Sequence, residues 1–107
     1  MPTRDLLSTS PHSLTEERFE TLLSRPGLSL QRIVSPPAFR SRPFLQPEDE
    51  WVLLLQGQAT LDLDGEQIEL RQGESLLIAA GTPHRVITTS TNPLCIWIAL
   101  HLPEAGR

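Results

Sequence analysis

Residues 59–70 read Ala-Thr-Leu-Asp-Leu, then Asp-Gly, then Glu-Gln-Ile-Glu-Leu, and this stretch constrains the fold more than any other. Two runs of strict apolar and polar alternation flank Asp64-Gly65. Both central residues of a two-residue type I′ turn need positive φ, which Asp-Gly supplies at low cost. The turn sets the register: Leu61 faces Ile68 and Ala59 faces Leu70, while Thr60, Asp62, Gln67 and Glu69 share the solvent side. One apolar face and one polar face commit this part of the chain to a sheet.

The segments on either side extend the β pattern. Gly73 to Thr88 fits strand, tight turn and strand: an apolar run from Leu76 to Ile78, breakers at Gly81 and Pro83, and β-branched residues after His84. A histidine ending such a turn aims an imidazole inward from a barrel mouth, where metal ligands and acid–base groups commonly sit. Leu28 to Val34 reads as a first strand closed by Ser35-Pro36-Pro37. Pro36, Pro37, Pro43 and Pro47 make the next segment loop or edge strand, because proline cannot donate to a ladder. Glu50 to Gln56 is nearly continuously apolar, as expected of a strand covered on both faces. After the polar turn Ser90-Thr91-Asn92-Pro93, a last strand runs from Leu94 to about His101.

That final turn bears on chemistry. A two- or four-residue loop centred between Asn92 and Pro93 sets His84 opposite His101, whereas a three- or five-residue loop sends His101 to the other face. Before the first strand, residues 1 to 12 are polar and read as an arm. Ser13-Leu14-Thr15-Glu16 has capping-box spacing, and Phe19, Leu22 and Leu23 share one helical face. A short helix to about Ser24, stopped by Pro26-Gly27 and covering an open sheet edge, is the expectation. The domain plan is therefore an arm and helix over residues 1–27, a β-barrel over 28–102 and a tail over 103–107.

Composition narrows the partners. A net charge of -4 in 107 residues, spread without long runs of one sign, gives no sign of a nucleic-acid footprint. Arg32, Arg40 and Arg42 crowd one inter-strand segment and suggest either a positive pocket rim or solvated surface. Cys95 is the only cysteine and sits between Leu94 and Ile96, which reads as buried packing. No run reaches signal-peptide or membrane-span length, so the expectation is a cytoplasmic protein without membrane contact.

The Gly73 to Thr88 pattern resembles the second motif of the cupin superfamily, G-x5-P-x-G-x2-H-x3-N, with Gly73, Gly81 and His84 in position, Ala79 for the proline and Thr88 for the asparagine. Glu50 and Gly57, with six residues between them, match the right-hand half of the first motif, G-x5-H-x-H-x3,4-E-x6-G. Its two histidine positions hold Phe44 and Gln46. The stretch Asp49 to Gly57 also looks like a subgroup of small bacterial single-domain cupins with a short N-terminal helix and a histidine in the last strand, here His101. The resemblance implies an all-β fold, a small jelly-roll barrel or double-stranded β-helix.

It also implies a site. Cupin metal centres take two histidines and the glutamate from the first motif and the histidine from the second, for iron, manganese, nickel or zinc. Carried over by position, Glu50 and His84 are retained, Gln46 replaces a histidine, and His101 is the candidate to supply the missing nitrogen. The expected pocket adds Val52, Leu54, Val86 and Trp97, with Glu50 and His84 as the catalytic pair of a metal-dependent enzyme of oxygenase or isomerase type. Two other readings stand beside it: a metal-free module binding a small metabolite or sugar, and a non-catalytic dimeric structural protein. A small-molecule ligand and a homodimer formed through an exposed apolar strand face complete the expectations.

Overall fold

The computed structural model describes residues 3–9 and 14–102. Among these residues the chain forms eight strands: β1 (Arg18–Arg25), β2 (Leu28–Val34), β3 (Asp49–Gln56), β4 (Gln58–Leu63), β5 (Glu66–Arg71), β6 (Ser75–Ile78), β7 (His84–Thr89) and β8 (Ile96–Leu102). They make two antiparallel sheets, one of five strands in the order β1-β2-β8-β3-β6 and one of three in the order β5-β4-β7. The Asp64-Gly65 hairpin has the register expected of it, Leu61 opposite Ile68 and Ala59 opposite Leu70. Asp64 and Gly65 both take positive φ, 51° and 89°.

The N-terminal helix is not formed; Arg18 to Arg25 is a strand paired with β2. Pro26-Gly27 does not stop a helix. It joins β1 to β2 as a tight turn in which proline fixes the first central φ and Gly27 takes φ of 74° at the second. A bulge between Thr21 and Leu23 shifts the register, and it turns Phe19 and Leu23, four residues apart and on one helical face, to opposite faces of the sheet. The barrel's edge strand thus begins inside the segment expected to be arm and helix. Ser13 of the capping box and the tail 103–107 lie outside the described residues.

The core lies between the sheets. Ile33, Val52, Leu54, Ile78, Trp97 and Ala99 come from the larger sheet and meet Ala59, Leu61 and Leu70 from the smaller. Alternation along β3 puts Glu50, Val52 and Leu54 on this inner face and leaves Trp51, Leu53 and Leu55 half-buried outside. Cys95 is fully buried, as expected. The crossing from β7 to β8, which contains a cis Asn92–Pro93 bond, is no hairpin. β7 pairs with β4, whereas β8 runs between β2 and β3, so His84 and His101 belong to different sheets.

Candidate functional site

Glu50 and His101 are cross-strand partners on β3 and β8, on the inward side of the larger sheet. His84 opens β7 on the smaller sheet and faces them because the loop before it is tied down. Gly81 N–H donates to the Gln46 carbonyl at 2.9 Å, and Ala80 N–H donates to Asp49 Oδ1 at 2.7 Å. Phe44 and His84 exchange both backbone hydrogen bonds in an isolated bridge, at 2.7 and 3.0 Å. The breakers at Gly81 and Pro83 thereby bring the β7 entry against the segment that leads into β3.

The result is a carboxylate between two imidazoles. His84 Nε2 is 3.5 Å from Glu50 Oε1, and His101 Nε2 is 3.4 Å from Glu50 Oε2. Gln46 donates its amide to Oε1 at 2.8 Å. Each imidazole is also held from behind. His84 Nδ1 is 3.0 Å from the Thr82 carbonyl, which only accepts, so Nδ1 carries a hydrogen and the neutral ring keeps its lone pair on Nε2. His101 Nδ1 meets Ser29 Oγ at 3.3 Å, since Ser29 is its partner on β2. The Phe44 ring lies 5.8 Å from that of His84.

Electrostatics follow from this packing. Burial alone would raise the Glu50 pKa, but the Nε2–H of a charged His84 ring, the Gln46 amide and the charges of His101 and His84 outweigh it and hold the carboxyl below its ordinary 4.5. Burial likewise opposes the charged form of His84. The hydrogen bond to Glu50, the Thr82 carbonyl and the charge of Glu50 prevail and raise its pKa above 6.5.

These groups open into a cavity of about 240 Å³, somewhat below the ~300–1,000 Å³ usual for small-molecule sites. Val52, Val86 and Trp97 line it as expected, with Gln46, Glu50, His84 and His101. Leu54 does not; it is fully buried in the core below. Gln46 reaches the site through its amide nitrogen. None of the three arginines considered for a pocket rim lines the cavity. Arg32 is buried beyond β2's outer side, where it donates to the carbonyls of Leu6 and Ser8 and approaches Glu20 at 3.6 Å; Arg40 and Arg42 are exposed.

Sequence reasoning missed Glu17, Phe19 and Arg85, all of which line the cavity. Glu17 accepts a hydrogen bond from Ser35 Oγ at 2.9 Å, and Ser35 Oγ in turn accepts one from Trp97 Nε1 at 2.9 Å. Burial raises the Glu17 pKa; the Ser35 hydrogen bond opposes this and the Glu50 charge adds to it, leaving it above 4.5. Pro26-Gly27 was the available signal. Taken as a hairpin turn, it places the residues before Arg25 alongside β2 and so brings Glu17 towards Ser35.

The cupin-domain family model matches residues 32–101. Among solved structures, a candidate mannose-6-phosphate isomerase of Ralstonia eutropha JMP134 is 30% identical, with 96% of this chain and 99% of that one covered and a TM-score of 0.88. A cupin superfamily protein of Desulfitobacterium hafniense DCB-2 shares 14% identity over 90% of this chain and 84% of its own, with a TM-score of 0.78. KdgF from Halomonas sp. shares 17% over 85% and 83%, with a TM-score of 0.75; these last two speak to the fold alone. Matching motif positions, two inward-facing sheets and a family match over most of the chain lead to one assignment: this protein belongs to the cupin family.

Proposed function

We propose that this cupin binds a small organic ligand in the barrel, and that Glu50, His84 and His101 form its reactive centre and hold a divalent metal ion. The observation that carries the reading is the spacing of these three side chains. The Nε2 to carboxylate distances of 3.5 and 3.4 Å exceed the ~2.7–2.9 Å of a charge-assisted hydrogen bond. They agree with the ~3.4 Å expected between two ligands placed at ~2.1 Å around a tetrahedral ion. Among the described residues, no group of three or more His, Cys, Asp or Glu side chains is already gathered as a metal site. The spacing weighs more, and His101, the most exposed of the three, has the most room to turn towards the other two.

The donors suit a first-row divalent metal. Thr82 fixes the His84 tautomer that leaves Nε2 free, and Gln46 orients Glu50, the outer-shell roles such sites need. A bound ion supplies Lewis-acid polarisation of a ligand oxygen. Glu50, through the carboxylate oxygen left off the ion, would then accept or hold a proton at that end of the cavity, and the apolar walls from Val52, Val86 and Trp97 exclude water from it.

Metal content of protein purified without an affinity tag tests the reading. About one ion per chain is expected, lost in His84→Ala and in His101→Ala. Sub-stoichiometric metal that neither substitution changes would sink it. The Gln46 amide already satisfying Glu50 favours a second reading, a metal-free binding module; it predicts that an organic ligand raises the melting temperature in the presence of a chelator.

A further inference from the structure

Two aromatic side chains of the cavity lining stand apart from the rest. Phe19 is 54% and Phe44 39% exposed, whereas Ile33, Val52, Ile78 and Trp97 in the same lining are buried. The phenyl rings therefore mark the end of the cavity that opens to solvent. Each comes from the edge of a different sheet. Phe19 lies on β1, the edge strand of the larger sheet, where the pairings of Phe19 with Ile33 and of Ile33 with Trp97 carry one apolar row from solvent down to the cavity floor. Phe44 is bridged to His84 at the start of β7, an edge strand of the smaller sheet. That bridge puts its ring beside the imidazole, 5.8 Å away and tilted by 33°.

The polar inventory of the walls agrees with an apolar occupant. Outside the reactive centre the lining offers few polar side chains: Glu17 and Gln46 are already engaged with Ser35 and Glu50, Arg85 faces Asp62 at 3.9 Å, and Gln31 remains. A polyol with a hydroxyl on every carbon would bury donors and acceptors without partners, and each one left unmade weakens binding. A flat apolar ring asks for no such partners and covers both phenyl groups, whose part-exposed surface gains from leaving water. The cavity volume of about 240 Å³, below that of drug-sized sites, limits the occupant to a single ring with a short substituent.

We propose that Phe19 and Phe44 form an aromatic clamp at the open end of the cavity and set its specificity, so that the small molecule bound there carries a flat apolar ring next to the oxygen that faces Glu50, His84 and His101. Phe44 aligns the two parts of such a ligand, because a ring resting on it lies beside His84. Phe19 closes over the other side from β1. The inference rests on the small-molecule reading of the cavity and adds the class of molecule to it.

Ligand-observed NMR titration of the full chain with benzamide, acetamide and myo-inositol, all neutral, tests it. Benzamide and acetamide share one amide and differ by phenyl for methyl, so their ratio reads the ring alone. Benzamide should bind about tenfold more tightly than either of the others. Phe19→Ala and Phe44→Ala should each cut that advantage about threefold, whereas Phe19→Leu and Phe44→Leu, which keep an apolar side chain in place, should lose less and keep the comparison open should an alanine variant fold poorly. Benzamide binding no more tightly than acetamide or myo-inositol, or an advantage that none of the four substitutions lowers, overturns the inference. Failure of the underlying readings is separately visible. Binding of myo-inositol without benzamide overturns the aromatic clamp and leaves a small-molecule cavity, and metal absent from a wild type that still binds benzamide overturns the metal reading alone.

Discussion

At the residue scale, Glu50 and His84 make the site's strongest pH signature. The folded protein lowers the Glu50 pKa below 4.5 and raises that of His84 above 6.5. The Glu50 contribution to stability is complete above 4.5 and is lost as pH falls through the lowered folded value. The His84 contribution is complete below 6.5 and is lost as pH rises through the raised folded value. In the presence of a chelator the melting-temperature advantage of the wild type over Glu50→Gln should therefore be flat between these limits and shrink on both sides, the Glu17 titration being present in both proteins. Glu50→Gln removes the charge that both imidazoles face and should cost about 1–3 kcal/mol inside the window, with the alkaline decline shallower. Thermal melts across pH 3 to 9 check this; a Glu50→Gln profile parallel to the wild type would show that the carboxylate and the imidazoles are not energetically coupled.

At the element scale, the tight glycine positions divide into two kinds. Gly65 takes φ of 89° with nothing within 4 Å of an added Cβ, so Gly65→Ala carries only backbone strain, about 1 kcal/mol. Gly57 takes φ of 97° where β3 passes to β4, and a Cβ there would stand 2.8 Å from both Cys95 Sγ and Ser90 Oγ and 3.0 Å from the Cys95 backbone. Strain and overpacking together should make Gly57→Ala cost about 2–4 kcal/mol. Urea denaturation of the two variants checks the difference, and equal midpoints would contradict it. The same elements show what was legible in the sequence. Asp64-Gly65 fixed its hairpin because turn chemistry and alternation agreed. Phe19, Leu22 and Leu23 misled because a short apolar run fits a helical face as well as a bulged strand, and only the pairing with β2 decides between them. Glu50 and His84 were legible from motif spacing. The place of His101 was not, because its alternation was argued from a β7–β8 hairpin that does not exist; it faces inward as the partner of Glu50 on β3. Glu17 stayed hidden as long as the strand that places it was taken for a helix.

At the scale of the whole molecule, the side of the five-stranded sheet turned away from the cavity carries an apolar row that crosses every strand. Leu23 pairs with Leu30, Leu30 with Leu100, Leu100 with Trp51 and Trp51 with Leu77. Its two ends are the most open to solvent, Leu77 at 56% and Leu23 at 41%. A second copy of the chain is the partner we propose for it. Two such rows related by a two-fold axis present each end to the other copy's opposite end, which is the self-complementarity an isologous interface requires. A standard interface of ~800 Å² per partner is about an eighth of the 6768 Å² surface of the chain, within the reach of one sheet face. Because the axis makes each substitution act twice, Leu77→Asp should weaken association by well over tenfold while leaving the cavity and its metal content unchanged. Sedimentation velocity at micromolar concentrations reads this directly. A wild type that sediments as a monomer, or a Leu77→Asp variant that dimerises as well as the wild type, removes this face from consideration.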